Sequence, residues 1–146
     1  MGIHDLEHDH ATLTNAVEDL RAQALSGKGD FPDERFLAKI VEVADELFEH
    51  FAREEEGLFP YILDVLPDQA EVIAQMQAAH DRICGAASRI AQLAERPNAD
   101  LAVSLFRRFD AEYTGHAKRE AEFLRSLAAR LTSDQQETLA GILREI

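Results

Sequence analysis

Apolar residues recur at steps of three and four along almost the whole chain, the spacing of one face of an α-helix. The first run is Ile3, Leu6, His10, Leu13, Val17 and Leu20. It ends at "SGKGDFPD", where two glycines and a proline break a helix. The second extends from about Asp33 to Leu58, shows Phe36, Ile40, Val43 and Leu47 on its stripe, and stops at Pro60. The third follows "LPDQ", reads Ile73, Met76, His80, Ile83, Ala87, Ile90 and Ala94, and halts at "RPNAD". The fourth reads Ala102, Phe106, Phe109, Tyr113, His116, Glu120, Phe123 and Leu127. A short fifth segment, "SDQQETLAGILREI", opens with Ser133 as N-cap and Gln136 three residues on. No stretch alternates with the period of a strand. Short connections make successive helices antiparallel. The pattern therefore predicts an all-α fold: an antiparallel up-down-up-down four-helix bundle over about 3–130, with a short C-terminal fifth helix over about 133–146, in one domain spanning 1–146.

The anomaly lies inside the stripes. Each long helix places one histidine on its apolar face: His10, His50, His80 and His116. The second and fourth add a glutamate four residues later, Glu54 and Glu120, which stacks on the same face. His10 lies about 16 residues before the first break and His50 about 17 after the second helix begins, so antiparallel packing brings them to one height. His80 and His116 stand in the same relation across the Arg96–Pro97 break. Six such groups buried without partners would consume a stability that totals only about 5–15 kcal/mol. Cations relieve that cost. Imidazole suits Fe, Mn, Zn or Cu, and carboxylates bridge metal pairs about 3.5–4 Å apart. The division this suggests is His10 and His50 on one ion, His80 and His116 on the other, and Glu54 and Glu120 between them. The alternative is a polar layer satisfied by its own hydrogen bonds.

Neighbouring residues carry secondary expectations. His8 lies about 160° around the helix from His10, off the stripe, and with His4 forms a solvated pair. Cys84, one turn beyond His80, reads as a small buried residue, or as a soft extra ligand. Tyr113 reads as boundary packing, or as a hydrogen-bond donor to a bound small molecule. Glu55 and Glu56 face solvent or accept from an imidazole N–H. Glu112 and Glu122 belong to a solvated face. Phe48, Phe51, Phe59, Phe106 and Phe109 read as core.

Composition narrows the partners. The formal charge is −13 over 146 residues, a surface that repels phosphate backbones and anionic lipid, so neither nucleic acid nor membrane is an expected partner. No apolar stretch approaches the roughly 20 residues of a membrane span. The acidic, His-rich start "MGIHDLEHDH" is unlike a secretory signal. The single cysteine permits no internal disulfide and fits a cytoplasmic location.

"LEHDHATLTNAVEDL", "HFAREEEGLFPYIL", "AAHDRICGAASRI" and "HAKREAEFL" resemble, in order, the four ligand segments of the hemerythrin family in its HHE cation-binding branch. The resemblance implies a bundle around two iron ions in an oxygen-bridged di-iron centre, with Zn or Mn as possible substitutes. It puts His10, His50, His80 and His116 on the terminal ligands and Glu54 and Glu120 on the bridges. It also implies binding of O2, or of NO or peroxide, as a binding or sensing module with an unidentified redox partner. Two other activities fit the same resemblance: an enzyme that turns over peroxide or NO or supplies iron for repair of iron centres, and a bundle with a structural Zn or Mn. The oxygen carriers of the family have a second histidine in the third helix. Here Met76 and Cys84 flank His80, which makes the ligand supply more symmetric and leaves a position open on either metal.

Overall fold

The computed structural model describes residues 2–26, 31–96 and 98–146, and every regular element among them is helical. Helix α1 is Ile3–Leu25 and α2 is Glu34–Arg53. A five-residue π turn, Glu54–Leu58, joins α2 to α3, Phe59–Val65. Then come α4, Ala70–Ala91, α5, Ala99–Arg130, and α6, Ser133–Arg144. Gly27, Gly29 and Pro97, read from the sequence as helix breakers, lie outside the described residues.

Side-chain caps open α2, α5 and α6, where orphan N–H groups need acceptors. Asp33 accepts from the Phe36 N–H at 2.8 Å, and Asn98 from the Leu101 N–H at 3.0 Å. The cap of α6 is Thr132, one residue before the expected Ser133. Its hydroxyl accepts from the Gln135 N–H at 3.1 Å while the Gln135 side chain accepts from the Thr132 N–H at 3.0 Å, a reciprocal box. Gln136 instead donates to the carbonyls of Ala128 and Leu131 at the end of α5.

The second helix does not stop at Pro60. The chain passes through the π turn, where the Phe59 N–H reaches back five residues to the Glu54 carbonyl, and Pro60 falls in the first turn of α3. Pro60 has no N–H to donate, and the widened π turn just before it makes room for a ring that would kink a regular helix. At the end of α4 a 3-10 turn, Gln92–Ala94, tightens the path, so Leu93 is buried in place of the expected Ala94.

Helix α1 packs on α2 and α5, and α4 packs on the same two. Their buried hydrocarbon forms two separate clusters. One holds Leu13, Val17, Leu20, Phe36, Ile40, Leu47, Phe51, Ile83, Ile90, Phe106 and Phe109. The other holds Ile3, Leu6, Leu58, Phe59, Ile62, Met76, Phe123, Leu127, Leu139 and Leu143. On all four long helices the His and Glu positions fall in sequence where one cluster gives way to the other. Phe48, read as core, is 45% exposed. Leu47 and Phe51 take the inward direction on that turn.

Helix α6 sits on the π turn. A Cβ placed on Gly57 would lie 2.6 Å from Ile146 Cδ1 and 2.9 Å from Leu143 Cδ2, both too close. Only glycine lets α6 seat at this depth. Ile146 is half-exposed and can swing aside, but Leu143 is buried and cannot. Gly57→Ala should therefore lower stability by about 1–2 kcal/mol, overpacking outweighing the gain in helix propensity. Urea unfolding reads this as a lower midpoint; a midpoint at or above that of the parent would contradict the close approach.

Candidate metal centre

Four helices deliver six polar side chains to the gap between the two clusters. Glu54 (0% exposed), His116 (0%), His80 (1%), Glu120 (1%) and His50 (2%) are buried among hydrocarbon, and His10 is slightly more open. Glu54 is also the joint between α and π winding. Its N–H bonds back to the His50 and Phe51 carbonyls, and its carbonyl takes the long bond from Phe59. The one glutamate of the second helix aimed inward is thus carried by the turn whose hydrogen-bond register is shifted, a placement common at functional sites.

The donor atoms form two groups, His10–His50–Glu120 and Glu54–His80–His116, each with ligand atoms within 4.8 Å of one another. Glu120 Oε2 is 2.7 Å from His10 Nδ1, and Glu120 Oε1 is 3.0 Å from His50 Nε2. Glu54 Oε1 lies 3.3 Å from His80 Nε2. Each carboxylate also reaches toward the other group: Glu54 Oε1 is 3.7 Å from His50 Nε2, and Glu120 Oε2 is 3.6 Å from His116 Nε2. All six residues singled out in the sequence are brought together, with the histidines paired as the helix counting indicated.

Hydrogen bonds do not satisfy this layer. His50 Nδ1, both Glu54 oxygens, His80 Nε2 and both His116 ring nitrogens have no hydrogen-bond partner among the described residues. Buried polar atoms are normally paired, and each orphan costs about 1–3 kcal/mol. These atoms are imidazole nitrogens and carboxylate oxygens converging from several sides, the donor set of a first-row transition metal.

Charge follows the same geometry. Burial and the nearby Glu120 charge push the Glu54 carboxyl well above its ordinary value. Burial acts on Glu120 too, but the contacts from His10 and His50 outweigh it and hold Glu120 well below. Burial lowers His80 to about 3 and His116 to about 4. Both imidazoles are therefore neutral near pH 7, with a lone pair free to ligate.

Surrounding residues fix the rings. Phe51 stacks flat on His80 at 3.7 Å and 8°, and Phe59 stands 5.8 Å from the same ring. Glu55 accepts from His80 Nδ1 at 3.3 Å, the imidazole-accepting role considered for it, while Glu56 is exposed. Tyr113 does not donate into the layer; its hydroxyl pairs with Thr14 Oγ1 at 2.9 Å. Burial pushes the Cys84 thiol up to about 12, so no thiolate is offered at neutral pH. Cys84 is only half-buried and lines a cleft of about 320 Å³ with Phe48, Phe51, Glu55, His80 and Asp81. Met76 packs into a hydrocarbon cluster. His8 is exposed, and His4 bonds Glu7 at 3.2 Å rather than pairing with it. Glu122 is exposed, and Glu112 pairs with Arg82 at 3.0 Å. The spacing of apolar residues gave no hint of Arg53, which bridges Asp9 at 3.5 Å and Glu49 at 2.9 Å beside His50; its position three residues after His50 was the available signal.

The orphaned atoms predict an asymmetry between the two glutamates in metal-free protein. Glu54→Met replaces two unpaired buried oxygens with hydrocarbon of similar length and should raise stability by about 1–3 kcal/mol. Glu120→Met strands His10 and His50 instead and should lower it. Chemical denaturation of chelated protein checks both signs, and equal effects would refute the reading.

Neither a curated protein nor a solved structure matches the chain. A family model does: the hemerythrin HHE cation-binding domain, over residues 1–140. The match spans all four helices that meet at the His and Glu layer, and the chain belongs to this cation-binding hemerythrin family.

Proposed function

We propose that this protein holds two metal ions, iron in its working form, and binds O2 or a related small molecule such as NO or peroxide there, as a binding or sensing module. His10 and His50 hold one ion and His80 and His116 the other, while Glu54 and Glu120 reach both. The observation that carries this reading is the set of orphaned donor atoms on His50, Glu54, His80 and His116. Membership of a cation-binding family agrees with it. The same reading takes the four long helices as up-down-up-down. The order in which each passes between the two hydrocarbon clusters supports that: α1 and α4 pass from the Met76 cluster to the Phe106 cluster, and α2 and α5 make the reverse passage. No described helix is long and apolar enough to cross a membrane. The single cysteine accords with a cytoplasmic setting.

Bound iron would supply Lewis acidity and one-electron redox chemistry toward a small ligand. The side chains of this protein do the rest. Four imidazoles and two carboxylates supply the donor atoms, without a protein nucleophile. Phe51 and Phe59 fix the His80 ring by stacking, and Glu55 fixes its tautomer by accepting at Nδ1, which leaves Nε2 for the metal. Phe51, Leu58, Phe59 and Phe123 keep bulk water out of the layer.

Protein purified without chelator should contain two irons per chain. Anaerobic reduction followed by O2 should produce a visible band that persists and reverses on removing O2. Decay of the band with product release would assign turnover instead, and zinc or manganese with no response to O2 would assign a structural metal. Glu55→Ala should weaken metal binding by about 10–100-fold, measured by chelator competition, whereas Glu55→Gln, which keeps an acceptor, should restore most of the affinity. Equal affinity in parent and alanine variant would remove Glu55 from the site.

A further inference from the structure

We propose that the cleft between α1 and α2, beside His10 and His50, is the route by which a divalent cation is loaded into the centre. This rests on the metal-binding reading above. The cleft has a volume of about 190 Å³ and is lined by Asp9, Thr12, Glu46, Glu49, His50 and Arg53. The depression is open to solvent and polar at its mouth, so a hydrated cation can enter it, and it must shed water to reach an imidazole that is 2% exposed. His50 is 2% exposed, forms part of the wall, and has an Nδ1 with no partner. A buried imidazole with one unpartnered nitrogen, in the wall of an acidic depression, is the first of the six layer residues that an incoming cation would meet there. His10, next to Asp9 in sequence, is the most open of the six layer residues, so this group lies nearest solvent.

Arg53 controls the passage. Its guanidinium lies between Asp9 (3.5 Å) and Glu49 (2.9 Å). It occupies, with its own positive charge, the space an arriving cation would cross. Three carboxylates against one guanidinium leave the mouth negative, so it concentrates cations, and Arg53 must swing aside for one to pass. The second cleft, at Glu55, Glu56 and Asp81, is also acidic. That path is closed at the level of His80, whose ring lies under Phe51 and whose Nδ1 is held by Glu55.

Stopped-flow mixing of metal-free protein with Co2+ alone, followed by its visible absorption, tests the route. The triple variant D9N/E46Q/E49Q should load about tenfold more slowly at low ionic strength, with the difference shrinking in high salt. Arg53→Gln should load severalfold faster. Equilibrium affinity should change much less than the loading rate for both, since none of the four residues is a proposed ligand. E56Q/D81N, at the other cleft, should load at the parent rate. Parent-like loading by the triple variant, slower loading by Arg53→Gln, or slowing confined to E56Q/D81N would each overturn the route. Failure of the parent itself to take up Co2+ would instead sink the metal-binding reading on which the route depends.

Discussion

Burial of polar groups that cannot satisfy one another is the constraint around which this molecule is organised. Two carboxyls and four imidazoles sit in hydrocarbon, and six of their nitrogen and oxygen atoms lack hydrogen-bond partners. Local repacking cannot cure this, because each group comes from a different turn of a rigid helix and the neighbours on either side are aliphatic or aromatic. The energetic penalty is comparable to a sizeable part of a domain's net stability. A fold that keeps such a layer does so for what the layer can grip. The opposed shifts of Glu54 and Glu120 express the same strain: two carboxyls this close do not both ionise without added positive charge.

The π turn connects that layer to the periphery. Glu54 belongs at once to the inward stripe of α2 and to the widened turn before Pro60. Gly57, three residues on, is where α6 presses down. Glu54, Gly57 and Leu143 thus form a short mechanical chain from the buried carboxylate to the C-terminal helix. That helix is placed by a capping box at Thr132 and by Gln136 gripping the last carbonyls of α5.

Much of this was legible in the sequence because helical periodicity is a direct imprint of burial. The stripe of α5, from Ala102 to Leu127, is buried at every position read from it, and the histidines stood out because they interrupted hydrocarbon. Counting residues from the helix breaks paired His10 with His50 and His80 with His116, since rise per residue is constant. The misses have local causes. A π turn displaces the hydrogen-bond register by one residue while barely altering apolar spacing, so Pro60 read as a stop. The 3-10 turn at Gln92–Ala94 rotated Leu93 inward and Ala94 outward. Phe48 read as core from its chemistry alone, although Leu47 and Phe51 already fill that side. Contacts set by side-chain reach, such as Glu55 on His80, Tyr113 on Thr14 and Arg53 on Asp9, have no periodic signature.

The split of the hydrocarbon into two bodies bears on how the chain comes apart. An ordinary bundle melts as one unit because its core is a single continuous phase. Here the half containing Phe36, Phe106 and Phe109 and the half containing Phe59, Phe123 and Leu139 meet only across a seam of imidazole and carboxyl. All four long helices run past the seam and couple the halves along their backbones, and the contacts across the seam set how tightly the two packed halves are joined. The seam is thus a coupling element of the thermodynamics as well as the candidate metal site. Whatever joins its six side chains strengthens the coupling between the two packed halves.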